Sequence, residues 1–460
     1  MAAQRLVVIG GDAAGMSAAA QARRRRTRDE LSIVAFERGR ATSYSACGIP
    51  YWIGGHVESE QALIARTPEQ HRAAGLDVRM RTEVTAIDLD RRVVRWRDLD
   101  AGTEGDEPFD ALHYAAGSVP MRPPVPGIDA AGVYGVQVLD DGVDLRCELD
   151  RAEVRRVVVV GGGYIGLEIA EACQRRGLEV TVVDRSPQPV GTFDPDVGAF
   201  LADAVRGLGI ELVLDDGVAE IGVTGGRASC VVTASGRELP ADLVVLGLGV
   251  RPNVRLAQDA GIPIGASGGL VVDARMRTPV EGVWAAGDCV ESVHRLSGQR
   301  VVDALGTHAN KQGRVAGINL GGGYATFRGV IGTAITKVCD VEVARTGLSS
   351  AEAEAAGFAF VTAVVDSTTT AGYMPDAQPV RLKLLAERRS GRLLGAQLVG
   401  RQGSAKRIDV LAVAVWNEMA VDELLGLDLS YAPPFSPVWD PVLIAARKAQ
   451  EAVEADLSAC

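Results

Sequence analysis

Cys47 stands in residues 41–55, ATSYSACGIPYWIGG, followed by Gly48 and Pro50 and flanked by Tyr44, Tyr51 and Trp52. Three readings compete there: a core filler, half of a disulfide, or a working nucleophile. The chain holds seven cysteines, at positions 47, 147, 173, 230, 289, 339 and 460, and five histidines, with no Cys-x-x-Cys pair and no metal-like cluster. Such an odd, scattered set fits a reducing compartment, so a cytoplasmic protein is expected. The second group with chemical potential is Arg23–Arg26, a run of arginines in a chain of net charge −11. A charge run is ordinarily a solvated face, and this one also complements a helix carboxyl terminus. The acidic balance, with a pI near 5.2, argues against general affinity for nucleic acid or anionic membrane. No apolar run approaches the roughly 18–20 residues of a membrane span, and MAAQRLVVIGG carries no charged leader.

These side chains need elements to hold them. A length of 460 residues, 47% of them apolar, suggests about three domains at roughly 150 residues each. Two stretches repeat: RLVVIGGDAAGMSAAAQAR from Arg5 and RVVVVGGGYIGLEIAEACQR from Arg156. Each opens with a short β-branched run suited to a buried parallel strand, turns on glycines and enters an alanine-rich helical pattern. A second strand follows each, ending at Glu37 and at Asp184. Strand, glycine turn, helix and strand with a terminal acid is the dinucleotide fingerprint, in which the helix amino terminus holds a pyrophosphate and the acid a ribose. The second copy is complete, with Gly161, Gly163 and Gly166; in the first, Gly10 and Gly15 fit but Asp12 replaces the middle glycine. Two dinucleotides are expected. After about residue 325, AITKVCDVEVARTGL, FVTAVV and VRLKLLAE alternate like antiparallel strands and AKRIDVLAVAVWNEM reads as a helix, which gives a third, α+β domain.

TPVEGVWAAGDC (278–289), LHYAAGSVP (112–120) and ADLVVLGLGVRPN (241–253) resemble the crossing points and second flavin-contact motif of two-dinucleotide-fold flavoprotein reductases. That resemblance implies FAD in the first unit and NAD(P)H in the second, with the second unit inserted into the first. It implies an FAD domain over 1–112 and 247–324, an NAD(P)H domain over 113–246, a dimerisation domain over 325–447 and a frayed tail over 448–460. The fold class is then α/β, two Rossmann-like domains plus a C-terminal α+β dimerisation domain. It further implies that Asp288 binds the FAD ribityl chain. Gly10, Gly11, Asp12, Ala13, Ala14, Gly15, Glu37, Arg38, Ser43, Ala116, Gly117, Ala304, Gly306 and Thr307 complete the implied flavin site. Gly161, Gly162, Gly163, Tyr164, Ile165, Gly166, Glu168, Asp184, Arg185 and Gly249 form the implied nicotinamide-nucleotide site, with Tyr164 gating its pocket and Glu168 touching the nicotinamide. Asp184 favours NADH, since a carboxylate repels a 2′-phosphate, while the adjacent Arg185 leaves NADPH open.

Most disulfide reductases of this kind use two cysteines and a C-terminal histidine. Here no second cysteine follows Cys47 through Trp52 and no histidine lies beyond His308, which leaves single-cysteine chemistry. SYSACGIPYWIGG, LGTHANKQGRVAGINLGGG, GTAITKVCDVEVARTGL and DLSYAPPFSPVWDPVLIAA together closely resemble the coenzyme A disulfide reductase family, whose relatives include NAD(P)H oxidases and coenzyme A persulfide or polysulfide reductases. The resemblance implies a redox-active Cys47 and an obligatory homodimer. In that dimer Tyr431, and Tyr373 beside it, would serve as proton donors to the cysteine of the other subunit. The short helix after Cys47 is expected to lower the thiol pKa through its dipole. Coenzyme A carries a 3′-phosphate and a pyrophosphate, which implies recognition by Arg23 and Arg24. Ala46, Thr369, Thr370 and Leu443 depart from the family pattern around the expected thiol pocket. Oxygen reduction through the flavin, or electron transfer to a protein partner, are the alternatives. Cys460 reads as a redox tail or a plain chain end.

Overall fold

The computed structural model describes residues 3–459, so the expectation for Cys460 falls outside the described residues. Strand Gln4–Ile9 lies in parallel between Leu31–Phe36 and Ala111–Tyr114, with Asp77–Arg79 and Val283–Ala285 at the edges of a five-stranded sheet. Strand Arg156–Val160 repeats the arrangement between Glu179–Val183 and Leu243–Leu246, with Glu211–Val213 and Val133–Gly135 outside them. Both central strands are buried on both faces, as the unbroken valine and leucine runs require. Each unit carries a three-stranded antiparallel meander, Thr82–Pro108 and Val218–Pro240.

The chain passes between the units through Ser118–Pro120 and returns through Val250–Pro252, which pair antiparallel. All of Ala111–Tyr114 registers against Leu6–Ile9, so the passage comes after Tyr114 rather than after residue 112 as expected. The last domain is an antiparallel sheet in the order Ala334–Val338, Val341–Gly347, Leu393–Gly400, Pro379–Glu387, Phe360–Thr368. The tail expectation is corrected here. Helix Pro441–Ala459 runs unbroken, with Val442, Ala445, Ala446, Ala449 and Val453 buried at helical spacing against the core of that sheet.

One junction matters for chemistry. The helix Ile49–Ile53 after Cys47 buries Ile49, Trp52 and Ile53 in a core shared with Leu167 and Ile169 of helix Tyr164–Arg175 and with Val338, Val341 and Val343 of the last domain. Cys47 therefore sits where three domains meet.

Candidate active site

The two glycine turns are cradles that only backbone can line. Gly10 and Gly161 have φ of 102° and 106°, and a Cβ on either would stand 2.1 Å from the Ala115 carbonyl oxygen or 2.5 Å from that of Gly247. Behind them the two acids grip the turns: Glu37 accepts from the Gly11 and Gly39 amides at 2.7 Å, Asp184 from Gly162 at 2.5 Å and Ser186 at 2.7 Å. Helices begin directly after, at Ala13 and Tyr164, with Ala14, Gly15 and Gly166 buried and Ile165 half-buried. These cradles fit two dinucleotide pyrophosphates at helix amino termini. Asp12 stands at the N-cap position of the first helix without a side-chain capping bond, and its carboxylate accepts from the Tyr44 amide at 3.3 Å. Burial, then Glu37, pushes its carboxyl up to about 7, so near neutrality it is half protonated and repels a phosphate less than an ordinary aspartate would.

The remaining flavin-side residues gather around the crossover. Ser118 donates to Asp288 at 3.0 Å and in turn accepts from Gln137 at 3.1 Å. Burial raises the Asp288 carboxyl. Asn253 ties down Ala116 and Gly117 through their carbonyls, and the Met121 amide donates to Gly249 at 3.0 Å. Ala304 precedes helix Gly306–Leu320, at whose start Gly306 and Thr307 are exposed. Arg38 and Arg185 are exposed beyond the two acids. Ser43 takes a φ of 50° and hydrogen-bonds His71 at 3.0 Å. The Tyr164 hydroxyl is buried without a hydrogen-bond partner.

Cys47 lies in a single 3₁₀ turn, Ala46–Gly48, and is exposed. The expected low pKa is not what its surroundings give. Desolvation, then the carboxylates of Glu168, Asp288 and Asp12, raise the thiol above its ordinary value. The following helix has five residues, too short for its dipole to outweigh three acids. Glu168 accepts from Thr336 at 2.6 Å, and burial raises its own carboxyl. Tyr373 and Tyr431 are not among the groups that weigh on the thiol of their own chain. Both are exposed, as are Phe435, Val438 and Trp439.

A cavity of about 590 Å³ runs from Arg24 along the first helix past Ala13 to Ser43, Tyr44 and Ser45, two residues short of Cys47. Arg66, Arg314, His71 and Asn310 also line it. Arg23 does not: its guanidinium donates to the carbonyls of Leu31 at 2.5 Å and Arg26 at 3.0 Å, so it buttresses the start of the second strand. Consecutive helical residues point about 100° apart, and only one of the pair can face the groove. Arg66 and Arg314 carry no run or motif that marks them in the sequence.

Residues 4–313 match the family described as Pyridine nucleotide-disulphide oxidoreductase, and residues 333–441 match its dimerisation domain. The chain is 38% identical to the NAD(P)H sulfur oxidoreductase (CoA-dependent) of Pyrococcus abyssi, over 96% of this chain and 97% of that one. It is 29% identical to the Coenzyme A disulfide reductase of Staphylococcus epidermidis, over 97% of this chain and 100% of that one. The structure superposes on that of an NAD-dependent persulfide reductase from A. fulgidus with a TM-score of 0.94 at 38% identity, covering 98% of this chain and 84% of that one.

Proposed function

The chain belongs to the pyridine nucleotide-disulphide oxidoreductase family, and from that premise we propose that it reduces a coenzyme A disulfide or persulfide through Cys47. The observation that carries this is the groove. Arg24, Arg66 and Arg314 line one continuous cavity that also reaches Ser45, beside the only cysteine in the glycine-rich flavin half with an exposed surface. Three guanidinium groups suit a 3′-phosphate and a pyrophosphate, and the groove leads the thiol end toward Cys47.

Gly10–Gly15, Glu37 and Asp288 would hold FAD, and Gly161–Gly166 and Asp184 would hold NAD(P)H. The flavin, when bound, takes hydride from reduced nicotinamide and supplies two electrons. Asp184, at the end of its strand, favours NADH over NADPH. The electron acceptor is a mixed disulfide of Cys47 with coenzyme A, formed when the Cys47 thiolate attacks the S–S bond of the substrate and displaces one coenzyme A thiolate. Two electrons break its S–S bond, leaving sulfur on Cys47 and a departing coenzyme A thiolate. The acids around Cys47 favour the protonated thiol once it is released. The segments carrying the exposed Tyr373 and the exposed Tyr431, Phe435, Val438 and Trp439 are joined by the Ala371 amide, which donates to the Pro433 carbonyl, and such apolar exposure is best covered by a second copy. In such a homodimer Tyr431, with Tyr373 beside it, protonates the thiolate leaving the other subunit's cysteine.

The test is the mass of the intact chain, denatured without reductant and again after reduction. A loss on reduction equal to coenzyme A, mapped to Cys47, is expected. An unmodified or merely oxygenated Cys47 would move the reading to persulfide or oxygen chemistry.

A further inference from the structure

Three polar residues interrupt the apolar strands of the last domain: Arg345, Gln397 and Lys383, exposed by 6%, 1% and 7%. Arg345 registers with Gln397 and Gln397 with Lys383, so they form one row across three strands. Buried polar groups need partners, and the whole row finds them in one short stretch of the nicotinamide-nucleotide unit, residues 192–196. Arg345 Nη1 donates to the Thr192 carbonyl at 2.6 Å, and Gln397 Oε1 accepts from the Asp194 amide at 2.8 Å. Lys383 Nζ meets the Asp194 and Asp196 carboxylates at 2.9 and 2.8 Å. Ser350 adds its amide and its hydroxyl to Asp194 at 2.9 and 2.7 Å. Burial by itself raises the Asp194 carboxyl, but the bonds from Lys383 and Ser350 outweigh it and lower it, so the pair is charged.

The near end of that stretch reaches the second glycine turn. The Phe193 amide donates to the Val190 carbonyl at 3.0 Å, and the Val190 amide to the Gly162 carbonyl at 2.8 Å. The Gly162 amide is already held by Asp184 at 2.5 Å, so both polar groups of this cradle residue are tied down. Val190 is buried with a φ of 50°, a left-handed conformation that a β-branched residue keeps only where its neighbours impose it. The polar row imposes it from one side and Gly162 from the other. We propose that Lys383, Gln397 and Arg345 are positioning residues for the nicotinamide nucleotide. By gripping Thr192–Asp194, the last domain holds Val190 against Gly162 and fixes the pyrophosphate turn of the second cradle in its binding shape. This rests on the reading of that cradle as the NAD(P)H site.

The experiment titrates ADP-ribose, the redox-inert half of the nucleotide, into the flavin-loaded dimer by calorimetry. Lys383→Met keeps the stem and removes the charge, and its dissociation constant is expected to rise by roughly 10-fold. Reoxidation of the dithionite-reduced flavin by dioxygen, which needs no nucleotide, is expected to keep its wild-type rate. Wild-type affinity in a flavin-loaded, dimeric Lys383→Met overturns the positioning role. A parallel loss of affinity and of reoxidation rate, the mark of general damage, overturns it too. Gly163→Val fills the cradle, where a Cβ meets open space, and is expected to abolish binding. Unchanged binding in Gly163→Val overturns the reading of the cradle beneath the proposal. Should Lys383→Met fail to fold, Ser350→Ala, which loses only the hydroxyl bond to Asp194, is expected to weaken binding by about 3-fold. An unchanged constant in Ser350→Ala then overturns the proposal.

Discussion

The two glycine turns, at residues 10–15 and 161–166, share strand order, acid-to-amide hydrogen bonds and a positive-φ glycine, yet differ at one position: Asp12 stands where the other has Gly163. Sterics do not force that difference. Both residues are extended, Asp12 at φ −116° and Gly163 at φ −75°, and a Cβ at Gly163 would meet nothing within 4 Å. At Gly10 and Gly161 the same atom would run into a carbonyl. Within the fingerprint, the first glycine is thus demanded by the backbone, while the middle one leaves room to be filled. Filling it with an acid beside Glu37 gives the first turn a carboxyl poised to change charge near neutral pH, and the second turn has no such pair.

The comparison breaks if the first and middle positions respond alike to a methyl group. Gly10→Ala and Gly161→Ala should each cost roughly 2–5 kcal/mol, the sum of left-handed strain and overpacking. Gly163→Ala should stay within about 0.5 kcal/mol, as open positions do. Chemical denaturation of the three variants checks this, and flavin content should fall with Gly10→Ala but not with Gly161→Ala.

A smaller effect sharpens the electrostatic half. The folded-state pKa of Asp12, about 7, lies above its unfolded value near 3.8, so the folded chain binds the proton more tightly. Its contribution to stability is complete below about pH 4 and is lost as pH rises through 7. Asp12→Asn should therefore flatten part of the decline in Tm between pH 5 and pH 8. Parallel melting curves for the two proteins across that range would contradict the assignment.

The parts written locally in the chain were legible. Both parallel strands, both turns and both terminal acids follow from runs of valine, glycine and a single carboxylate within about 30 residues, and the structure places them as the pattern requires. Three things were not. The helix Pro441–Ala459 buries three alanines beside Val442, Leu443 and Val453, and beyond residue 447 only Ala449 and Val453 among the described residues, a weak apolar signal that reads as a frayed end until the sheet beneath is known. The groove draws Arg24, Arg66 and Arg314 from three distant segments, whereas the eye goes to the contiguous run, whose Arg23 turns to the Leu31 carbonyl. The Cys47 thiol answers to Glu168, Asp288 and Asp12, none of them near it in sequence, and they override the short helix that local reasoning credits.

The central claim is that electrons leave this protein through the sulfur of Cys47. NADH-dependent reduction of coenzyme A disulfide by flavin-loaded Cys47→Ser tests it most directly. The account predicts a loss of turnover on the order of 10³-fold or more, as for removal of a nucleophile, with reduction of the flavin by NADH retained. Full turnover by Cys47→Ser would contradict it.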